Sequence, residues 1–365
     1  MINNKTFKEN GQIVDNAENE YSRSHILQQS SKTVSLEKAQ KNKHLVVDVR
    51  SGKEFSEGTI PGAINIPLFE DDERGIIGTL YRHVGQDEAV DKGFEFVEKR
   101  LEALVESFVA YKAHTLTIFC AKGGMRSRSV VNLLERFGYD AYQLEGGFKK
   151  YRRDVLQCLE RFSPDLIVIH GLTGTGKTRI LQELDDQIDL EDLAQHRSSL
   201  FGAIDRSPRN QRDFESLLVK TIDSLGEEPY FIEGESRKIG RVFTPKPLAM
   251  AMKKGVLVKV DCRIETRIER IIADYPVKEE DTIVQLEKIL NSLRQKMGHQ
   301  EVDKLCGLLR GGNLEELVRI LLVDYYDKRY NNSMKGYRYD LELSSEDIPA
   351  VAAQLSEFRD SLRKK

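Results

Sequence analysis

Residues 166–178 read LIVIHGLTGTGKT, the stretch that decides the fold of the second half of the chain. The apolar run from Leu166 to His170 is typical of a buried parallel strand. It leads into G-x-x-x-x-G-K-T, in which glycines allow backbone N–H groups to turn toward phosphate oxygens. A helical pattern starts at Lys177, so the positive end of a helix should face the phosphate, and the Thr178 hydroxyl is suited to Mg²⁺. The residues predicted to bind a di- or triphosphate are Gly171, Gly174, Gly176, Lys177 and Thr178.

The composition is that of a globular protein, since 39% of the 365 residues are apolar and 32% are charged. This length predicts two or three domains of about 100–200 residues each. No apolar run approaches the ~18 residues that a membrane span requires, and the opening segment MINNKTFKENGQ lacks the apolar core of a secretion signal. We therefore expect a cytoplasmic protein with no membrane partner. With a net charge of −3, any polyanion site should be a local patch.

A cysteine is the second chemical feature, in the stretch FCAKGGMRSRS at 119–129. Cys120 ends a predicted buried strand, 115–119, and is followed by a loop and a helix from about Ser127. Loop N–H groups and a helix N-terminus near the sulfur would lower the thiol pKa from about 8.5 toward ~3.5–7.5. Arg126 would add a positive charge and a fork of donors for an oxyanion. The alternative is a buried structural cysteine. The residues predicted to form this site are Cys120, Gly123, Gly124 and Arg126.

The sequence predicts no metal centre built from cysteines. The four cysteines contain no C-x-x-C pair, so a zinc site or a disulfide framework is not expected. Reduced thiols are the default for such a chain.

Polar residues after the phosphate-binding loop are candidates for the pocket of a second substrate. Glu233 and Glu235 lie at the end of the next predicted strand, 229–233, where a second acid could hold Mg²⁺ through water. Arg237 lies in the polar loop that continues from this strand. The remaining candidate pocket residues are Asp189, Glu191, His196 and Arg197.

Two basic clusters could contact nucleic acid. One is the run KKYRR at 149–153, in which Tyr151 could stack on a base. The alternative is that these residues are the solvent-exposed first turns of a helix and have no role in binding. The second cluster consists of Arg206, Arg209 and Arg212.

The first half of the chain resembles a rhodanese domain. The resemblance is carried by DVR at 48–50, EF at 54–55, IPGA at 60–63, NIP at 65–67 and the Cys120 loop. Rhodanese domains carry sulfur or a heavier chalcogen on their loop cysteine. The C-x5-R spacing here is one residue longer than the usual sulfurtransferase loop and also matches cysteine-dependent phosphatases. A longer loop suits a larger anion, such as phosphate or a phosphate carrying selenium. A phosphatase would also need an acid, which the sequence does not assign.

A wider resemblance is carried by segments at 72–74, 78–81, 120–127, 146–152, 171–178, 189–197, 201–202 and 233–240, in that order along the chain. With these segments, the chain resembles the tRNA 2-selenouridine synthase family across nearly its full length after about residue 40, and the order of the segments is also that of the family. Lys122, where the family often has Arg, and Ser199 are minor departures that remove no reactive group.

The resemblance implies an enzyme that replaces the sulfur of wobble 2-thiouridine in tRNA by selenium. Its selenium donor would be selenophosphate supplied by a selenophosphate synthetase, and it would also transfer a geranyl group from geranyl diphosphate to that sulfur. Cofactors are not assigned beyond possible Mg²⁺, and the oligomeric state is open. Two alternatives remain. One is an ATP-dependent kinase or tRNA sulfurtransferase that uses a rhodanese persulfide. The other is a nucleotide-binding regulatory module in which Cys120 is inert.

The predicted fold class is α/β, a rhodanese-like parallel-sheet domain followed by a P-loop NTPase-like α/β domain with a helical C-terminal region. A charged segment at 71–81 is predicted to be a solvated loop on general grounds, and 92–112 a long amphipathic helix. The predicted boundaries are a polar extension at 1–34, the rhodanese-like domain at 35–153, a linker at 154–164, the P-loop domain at 165–300 and the helical region at 301–365.

Overall fold

The computed structural model describes residues 7–9, 12–14, 30–234, 236–275, 279–330 and 336–364. The chain divides into two compact units, Met1–Asp154 and Val155–Lys365. The predicted polar extension at 1–34 lies mostly outside the described residues. Two strands in it, β1 (Phe7–Glu9) and β2 (Gln12–Val14), pair antiparallel.

The first unit is built on a five-stranded parallel sheet with the order β3-β7-β6-β4-β5. Its central strand β6 has the sequence LTIF, and all of its side chains are buried. The edge strand β3 lies within the predicted extension, so the sheet begins before residue 35. The strands are β3 (Thr33–Val34), β4 (Leu45–Asp48), β5 (Ile64–Asn65), β6 (Leu116–Phe119) and β7 (Ala141–Leu144).

Helices cover this sheet and bury apolar residues of β4, β6 and α6 in its main core, among them Val47, Ile118 and Leu134. Ser51 and Glu54 form a capping box that starts α2. The helices are α1 (Leu36–Lys41), α2 (Gly52–Ser56), α3 (Asp71–His83), α4 (Gln86–Lys99), α5 (Leu101–Glu106), α6 (Met125–Arg136) and α7 (Gly147–Arg161).

Three local predictions in this part of the chain differ from the structure. The charged segment at 71–81 is not a loop but helix α3, because Glu70 and Glu73 form a capping box at its start. The predicted helix at 92–112 is interrupted at Arg100, whose side chain donates to the Pro67 carbonyl oxygen at 2.8 Å. The predicted linker at 154–164 is helical as far as Arg161, since α7 continues into it.

The second unit contains another five-stranded parallel sheet, with the order β14-β13-β8-β10-β9. The strand β8 coincides with the predicted run from Leu166 to His170. A separate antiparallel pair, β11–β12, follows β10. The strands are β8 (Leu166–His170), β9 (Gln187–Ile188), β10 (Tyr230–Glu233), β11 (Lys238–Ile239), β12 (Val242–Phe243), β13 (Val256–Asp261) and β14 (Leu341–Ser344).

Two apolar cores stabilise this unit. One lies under the sheet and includes Ile169 of β8 and Val351 of the last helix. The other joins the helices between β13 and β14 and includes Leu290 and Leu305. The helices are α8 (Lys177–Gln182), α9 (Leu190–Ala194), α10 (Gln211–Ile222), α11 (Lys246–Lys254), α12 (Ile264–Asp274), α13 (Glu280–Asn291), α14 (Arg294–Met297), α15 (His299–Arg310), α16 (Leu314–Ile320), a π-helix (Leu321–Asp327) and α17 (Ile348–Arg363).

The fold class prediction is confirmed, but the helical region at 301–365 is not purely helical. Strand β14 pairs with β13 in parallel register, Val258 opposite Leu341, and so completes the edge of the P-loop sheet. Helix α17 packs on the same sheet through Val351 and Leu355. The end of the chain therefore belongs to the sheet that carries the phosphate-binding loop.

Candidate functional site

Cys120 lies at the carboxyl end of β6, directly after Phe119. Its residue is 3% exposed and is part of the main apolar core of the first unit. The sulfur itself has polar partners, with the Ser127 hydroxyl oxygen 3.2 Å away. Burial alone raises the pKa of the thiol, but the Arg126 charge and hydrogen bonds from Ser127 and the Lys122 backbone outweigh it, and the pKa lies below its ordinary value. Burial fits the structural alternative, whereas the polar contacts and the lowered pKa favour a reactive thiolate.

The loop after Cys120 is held in one shape by close backbone packing. Gly123 has a φ of +62°, and a Cβ there would lie 3.0 Å from the Leu144 carbonyl oxygen. The Gln143 side-chain amide donates to the Gly124 carbonyl oxygen at 3.0 Å and to the Ser127 hydroxyl at 2.9 Å. Helix α6 begins at Met125, immediately after Gly124, so its N-terminus adjoins the loop. Sequence reasoning missed Gln143 and Ser127, because neither belongs to a recognisable charge or glycine pattern.

Arg126, the cation beside the Cys120 thiol, is itself paired with the Glu54 carboxylate. Its guanidinium lies 2.8 Å from a Glu54 carboxylate oxygen, and Arg74 lies 3.3 Å from the same oxygen. Burial alone lowers the pKa of Arg126, but the hydrogen bond and charge of Glu54 raise it above the ordinary value. Burial likewise raises the pKa of Glu54, yet Arg126 and Arg74 bring it below the ordinary range. An ionised Glu54 is a poor general acid, so this carboxyl does not supply the proton that a phosphatase would need.

The phosphate-binding loop connects β8 to α8, as the sequence predicts. Gly174 and Gly176 have φ values of +85° and +84°, in the left-handed region that favours glycine. A Cβ on Gly171 would lie 2.6 Å from the Val260 carbonyl oxygen, so a side chain does not fit there. The Lys177 ammonium group donates to the Gly171 carbonyl oxygen at 3.1 Å. Thr178 follows in the first turn of α8 and is half-buried.

Three side chains from distant segments hold the outer carbonyl groups of this loop. Arg267 donates to the Thr173 carbonyl oxygen at 2.8 Å. Arg270 and the Ser345 hydroxyl both donate to the Thr175 carbonyl oxygen, each at 2.8 Å. These three hydrogen bonds restrain the backbone of the loop from outside. Sequence reasoning missed all three residues, since no motif connects them to the loop.

Glu233, the acid predicted on the neighbouring strand β10, lies at the carboxyl end of the sheet, where the phosphate-binding loop also begins. Glu233 ends β10, is paired in register with Ile169 of β8 and is 2% exposed. The next residue, Gly234, lies so close to His170 that a Cβ there would be 2.4 Å from the ring. Burial, with the nearby Lys177 charge second, lowers the pKa of His170 to about 4, so its ring is neutral at pH 7. Glu235 lies outside the described residues.

The predicted pocket residues 189–197 form a compact turn around α9. Asp189 caps α9 by accepting from the Asp192 backbone N–H at 2.8 Å, and burial raises its pKa. The buried Glu191 accepts a hydrogen bond from the Ser198 backbone N–H. The observed contacts of Asp189 and Glu191 thus organise the turn.

His196 and Arg197 complete this turn. A Cβ on Gly240 would lie 2.6 Å from the His196 ring, so the ring packs against the β11–β12 turn, and burial lowers its pKa. The Arg197 guanidinium stacks on Tyr275, with its central carbon 4.5 Å from the ring centroid. Arg237 is exposed, and its carbonyl oxygen accepts from the Thr244 N–H at 2.9 Å.

The two basic clusters are partly engaged within the protein. Lys150 pairs with Glu145 at 3.3 Å, and Tyr151 is partly buried against the small core that contains Phe148. Arg209 donates to the Asp192 carbonyl oxygen at 2.8 Å, and Arg206 donates to that of Glu191 at 3.4 Å. The geometry therefore gives Arg206 and Arg209 a role in fixing the turn around α9.

Among the described residues, no group of three or more His, Cys, Asp or Glu side chains is placed to hold a metal ion. No helix in the described part of the chain is long and apolar enough to cross a membrane.

The fold and the two loops define a class of protein, an α/β chain in which a rhodanese-like domain with a cysteine-containing loop precedes a P-loop domain. Residues 32–154 match the rhodanese-like domain, and residues 164–361 match the tRNA 2-selenouridine synthase AAA domain. The chain belongs to the tRNA 2-selenouridine synthase family.

Relatives with that name cover most of the chain. The tRNA 2-selenouridine synthase of Pseudomonas syringae pv. tomato is 35% identical over 78% of this chain and 87% of its own length. That of Pseudomonas syringae pv. syringae is 34% identical over 84% of this chain and 93% of its own. The Nitrosomonas europaea protein is 33% identical over 63% of each chain. A solved N-terminal domain from Clostridium difficile 630 is 43% identical over 34% of this chain and 99% of its own, with a TM-score of 0.33.

Proposed function

We propose that this protein replaces the sulfur of wobble 2-thiouridine in tRNA by selenium from selenophosphate, by way of an S-geranyl intermediate made from geranyl diphosphate. The observation that carries the proposal is the pair of built anion sites within one chain of this family. One contains a thiol of lowered pKa beside an arginine. The other is the phosphate-binding loop, whose carbonyl oxygens accept hydrogen bonds from Arg267, Arg270 and Ser345. We further propose that the enzyme works in the cytoplasm, on selenophosphate released by a selenophosphate synthetase.

The first step is assigned to the P-loop domain. The sulfur of 2-thiouridine attacks C1 of geranyl diphosphate, the C1–O bond breaks, and diphosphate leaves with the electron pair, while the nucleoside loses its N3 proton to solvent. Lys177 and the loop N–H groups stabilise the charge that develops on the leaving group. A Mg²⁺ ion would fit here, since the Thr178 hydroxyl and the buried Glu233 carboxylate lie at the same edge of the sheet and Mg²⁺ prefers one or two carboxylates plus phosphates. When bound, it would neutralise further charge on the diphosphate.

The second step is assigned to the cysteine loop. Selenium from selenophosphate bonds to C2 of the nucleoside, the C2–S bond breaks, and geranylthiolate leaves and takes up a proton. Cys120 is the nucleophile in this step and can act in two ways. If its thiolate attacks C2, it expels geranylthiolate and is then itself displaced by selenium, after which water cleaves the P–Se bond and releases phosphate. If it attacks the phosphorus of selenophosphate, it releases selenide to attack C2, and water cleaves the resulting S–P bond to give phosphate and the free thiolate. Arg126 and the loop N–H groups bind the oxyanion.

The test is a defined reaction with a 2-thiouridine-containing tRNA. The protein is incubated with selenophosphate, with and without geranyl diphosphate, and the digested nucleosides are weighed by mass spectrometry. We expect S-geranyl-2-thiouridine with geranyl diphosphate alone and 2-selenouridine when both donors are present. Absence of a selenium-containing uridine under every condition would contradict the proposal. Turnover of ATP coupled to sulfur transfer would favour the sulfurtransferase alternative instead.

A further inference from the structure

An almost entirely apolar cavity of about 70 Å³ lies within the second unit. Its walls come from α12, α13, α16 and the π-helix, and they include Ile271, Leu286, Leu290, Leu317 and Leu321. These helices share the apolar core that lies between β13 and β14. A cavity lined in this way stays dry and can accept an apolar ligand.

One end of the cavity reaches the phosphate-binding loop. Thr173, which is part of G-x-x-x-x-G-K-T, lines it together with Ser199 and Tyr275. The Ser199 hydroxyl and the Tyr275 hydroxyl lie 3.3 Å apart. The Arg197 guanidinium stacks on the Tyr275 ring. The cavity therefore has an apolar interior and a polar end formed by Thr173 of the phosphate loop with Ser199 and Tyr275.

A ligand that fills both parts must carry an anion joined to a hydrocarbon. We propose that this cavity receives the prenyl chain of the diphosphate ester whose diphosphate is held by the phosphate loop. The inference rests on the proposed function and adds to it the location of the chain and a rule for its length. A nucleotide would place a polar base and ribose at the same position, and the apolar walls offer almost no hydrogen-bonding groups to either.

The size of the cavity predicts a limit on chain length. A ~150 Å³ cavity is known to hold one benzene ring, so a space of about 70 Å³ admits only a few carbons before the walls must part. Each methylene that is buried should strengthen binding by about fourfold. We therefore expect affinity to rise from inorganic diphosphate to dimethylallyl diphosphate, because one five-carbon unit fills the cavity, and to rise little further with geranyl or farnesyl diphosphate.

The experiment measures the dissociation constants of these four ligands on the full chain by calorimetry, without tRNA. For the unmodified protein we expect geranyl diphosphate to bind at least about tenfold more tightly than inorganic diphosphate, because several methylenes are buried. Leu286→Phe adds volume to the wall and should remove that preference while leaving the affinity for inorganic diphosphate unchanged.

A matched pair of leucines keeps the test informative if the larger side chain prevents folding. Leu290 lines the cavity, whereas Leu305 lies in the same core away from it, and both are nearly inaccessible to solvent. Leu290→Ala enlarges the cavity and should raise the affinity for geranyl diphosphate by about tenfold, and Leu305→Ala should leave the order of the four ligands unchanged. Equal binding of geranyl and inorganic diphosphate, or equal shifts in both alanine variants, would overturn the inference.

The outcome separates this inference from the proposed function. If tRNA acquires selenium but the cavity variants do not alter chain preference, the reaction stands and the location of the chain is wrong. If the variants alter chain preference but no tRNA product forms, the cavity binds a prenyl chain and the proposed reaction is wrong.

Discussion

The cysteine loop and the phosphate-binding loop both suit anions, but they are stabilised in opposite ways. In the cysteine loop the cation itself is restrained, because Arg126 is paired with Glu54 at 2.8 Å. In the phosphate-binding loop the restraints fall on the backbone, where Arg267, Arg270 and Ser345 hold carbonyl oxygens. The first arrangement sets the charge beside a thiol, and the second restrains the backbone of a loop. The comparison predicts that substitutions in one loop affect chemistry and those around the other affect binding and stability.

The largest expected effect is that of Cys120→Ser. A hydroxyl is not ionised by the environment that lowers the thiol pKa, so formation of 2-selenouridine should fall by about 10³-fold or more. Geranyl transfer to the tRNA should remain, because it is assigned to the other loop. Both products can be quantified in one nucleoside digest, and a parallel loss of the two would show that the loops do not divide the reaction.

Lys177→Ala should impair the first step and leave the thiol of the cysteine loop unaffected. Removing the ammonium group takes away a charge that stabilises departing diphosphate, which should slow geranyl transfer by about 10²–10³-fold. The reactivity of the Cys120 thiol toward iodoacetamide should not change. Retention of the full geranyl transfer rate would remove the phosphate loop from the mechanism.

Arg270→Ala should destabilise the second unit. Its guanidinium donates to the carbonyl oxygens of Thr175 and Ser345, and the residue is only 7% exposed. Loss of such charged hydrogen bonds should lower the free energy of unfolding by about 2–3 kcal/mol, as measured in urea. Arg263→Ala is the control, because that side chain is 77% exposed and should have little effect. Equal stability of the two variants would mean that the hydrogen bonds of Arg270 to the Thr175 and Ser345 carbonyl oxygens contribute nothing to the free energy of unfolding.

Glu54→Gln tests whether the pairing of Arg126 with Glu54 weakens the effect of Arg126 on the pKa of Cys120. Without the carboxylate charge, Arg126 should act more strongly on the thiolate, and the pKa of Cys120 should fall further. The rate of alkylation of Cys120 by iodoacetamide should therefore reach its plateau at a lower pH than in the unmodified protein. Glu95→Gln is a control that removes a carboxylate paired with Lys92 and Lys99 instead. A higher pKa in Glu54→Gln would contradict this account of the pair.

A smaller effect should appear in the pH dependence of stability. The pKa of Glu54 is lowered in the folded protein, so its ion pairs stabilise the fold above the unfolded value of about 4.3. That contribution is lost as the pH falls through the lower, folded value. The difference in unfolding free energy between the unmodified protein and Glu54→Gln should therefore shrink from pH 7 to pH 3. A difference that stays constant would show that the carboxylate charge does not matter.

The parts of the fold that the sequence predicts well are those encoded locally. Strand β8 coincides with its apolar run, and β10 lies within a residue of the strand predicted at 229–233. Strand β14 was missed because LELS is only half-buried and lies in a mainly helical stretch. Helix α3 was missed because its charges suggested a solvated loop.

In the candidate site, too, the residues in local motifs can be predicted from the sequence, and the residues that support them cannot. The glycines, Lys177 and Cys120 stand in contiguous motifs that can be read directly. Their supports come from far away in sequence, since Arg126 and Glu54 are 72 residues apart and Ser345 and Thr175 are 170 apart. Such contacts depend on the packing of whole sheets, which periodicity and spacing do not specify. The assignment of individual residues to substrates remains a prediction.

The most direct test of the division between the two loops supplies the intermediate ready-made. A tRNA that already carries S-geranyl-2-thiouridine is given to Lys177→Ala and to Cys120→Ser with selenophosphate, and 2-selenouridine is measured over time by mass spectrometry. We predict that Lys177→Ala converts this tRNA at nearly the rate of the unmodified protein, whereas Cys120→Ser does not. Failure of Lys177→Ala, or conversion by Cys120→Ser at the full rate, would contradict the claim that separate anion sites carry the two steps.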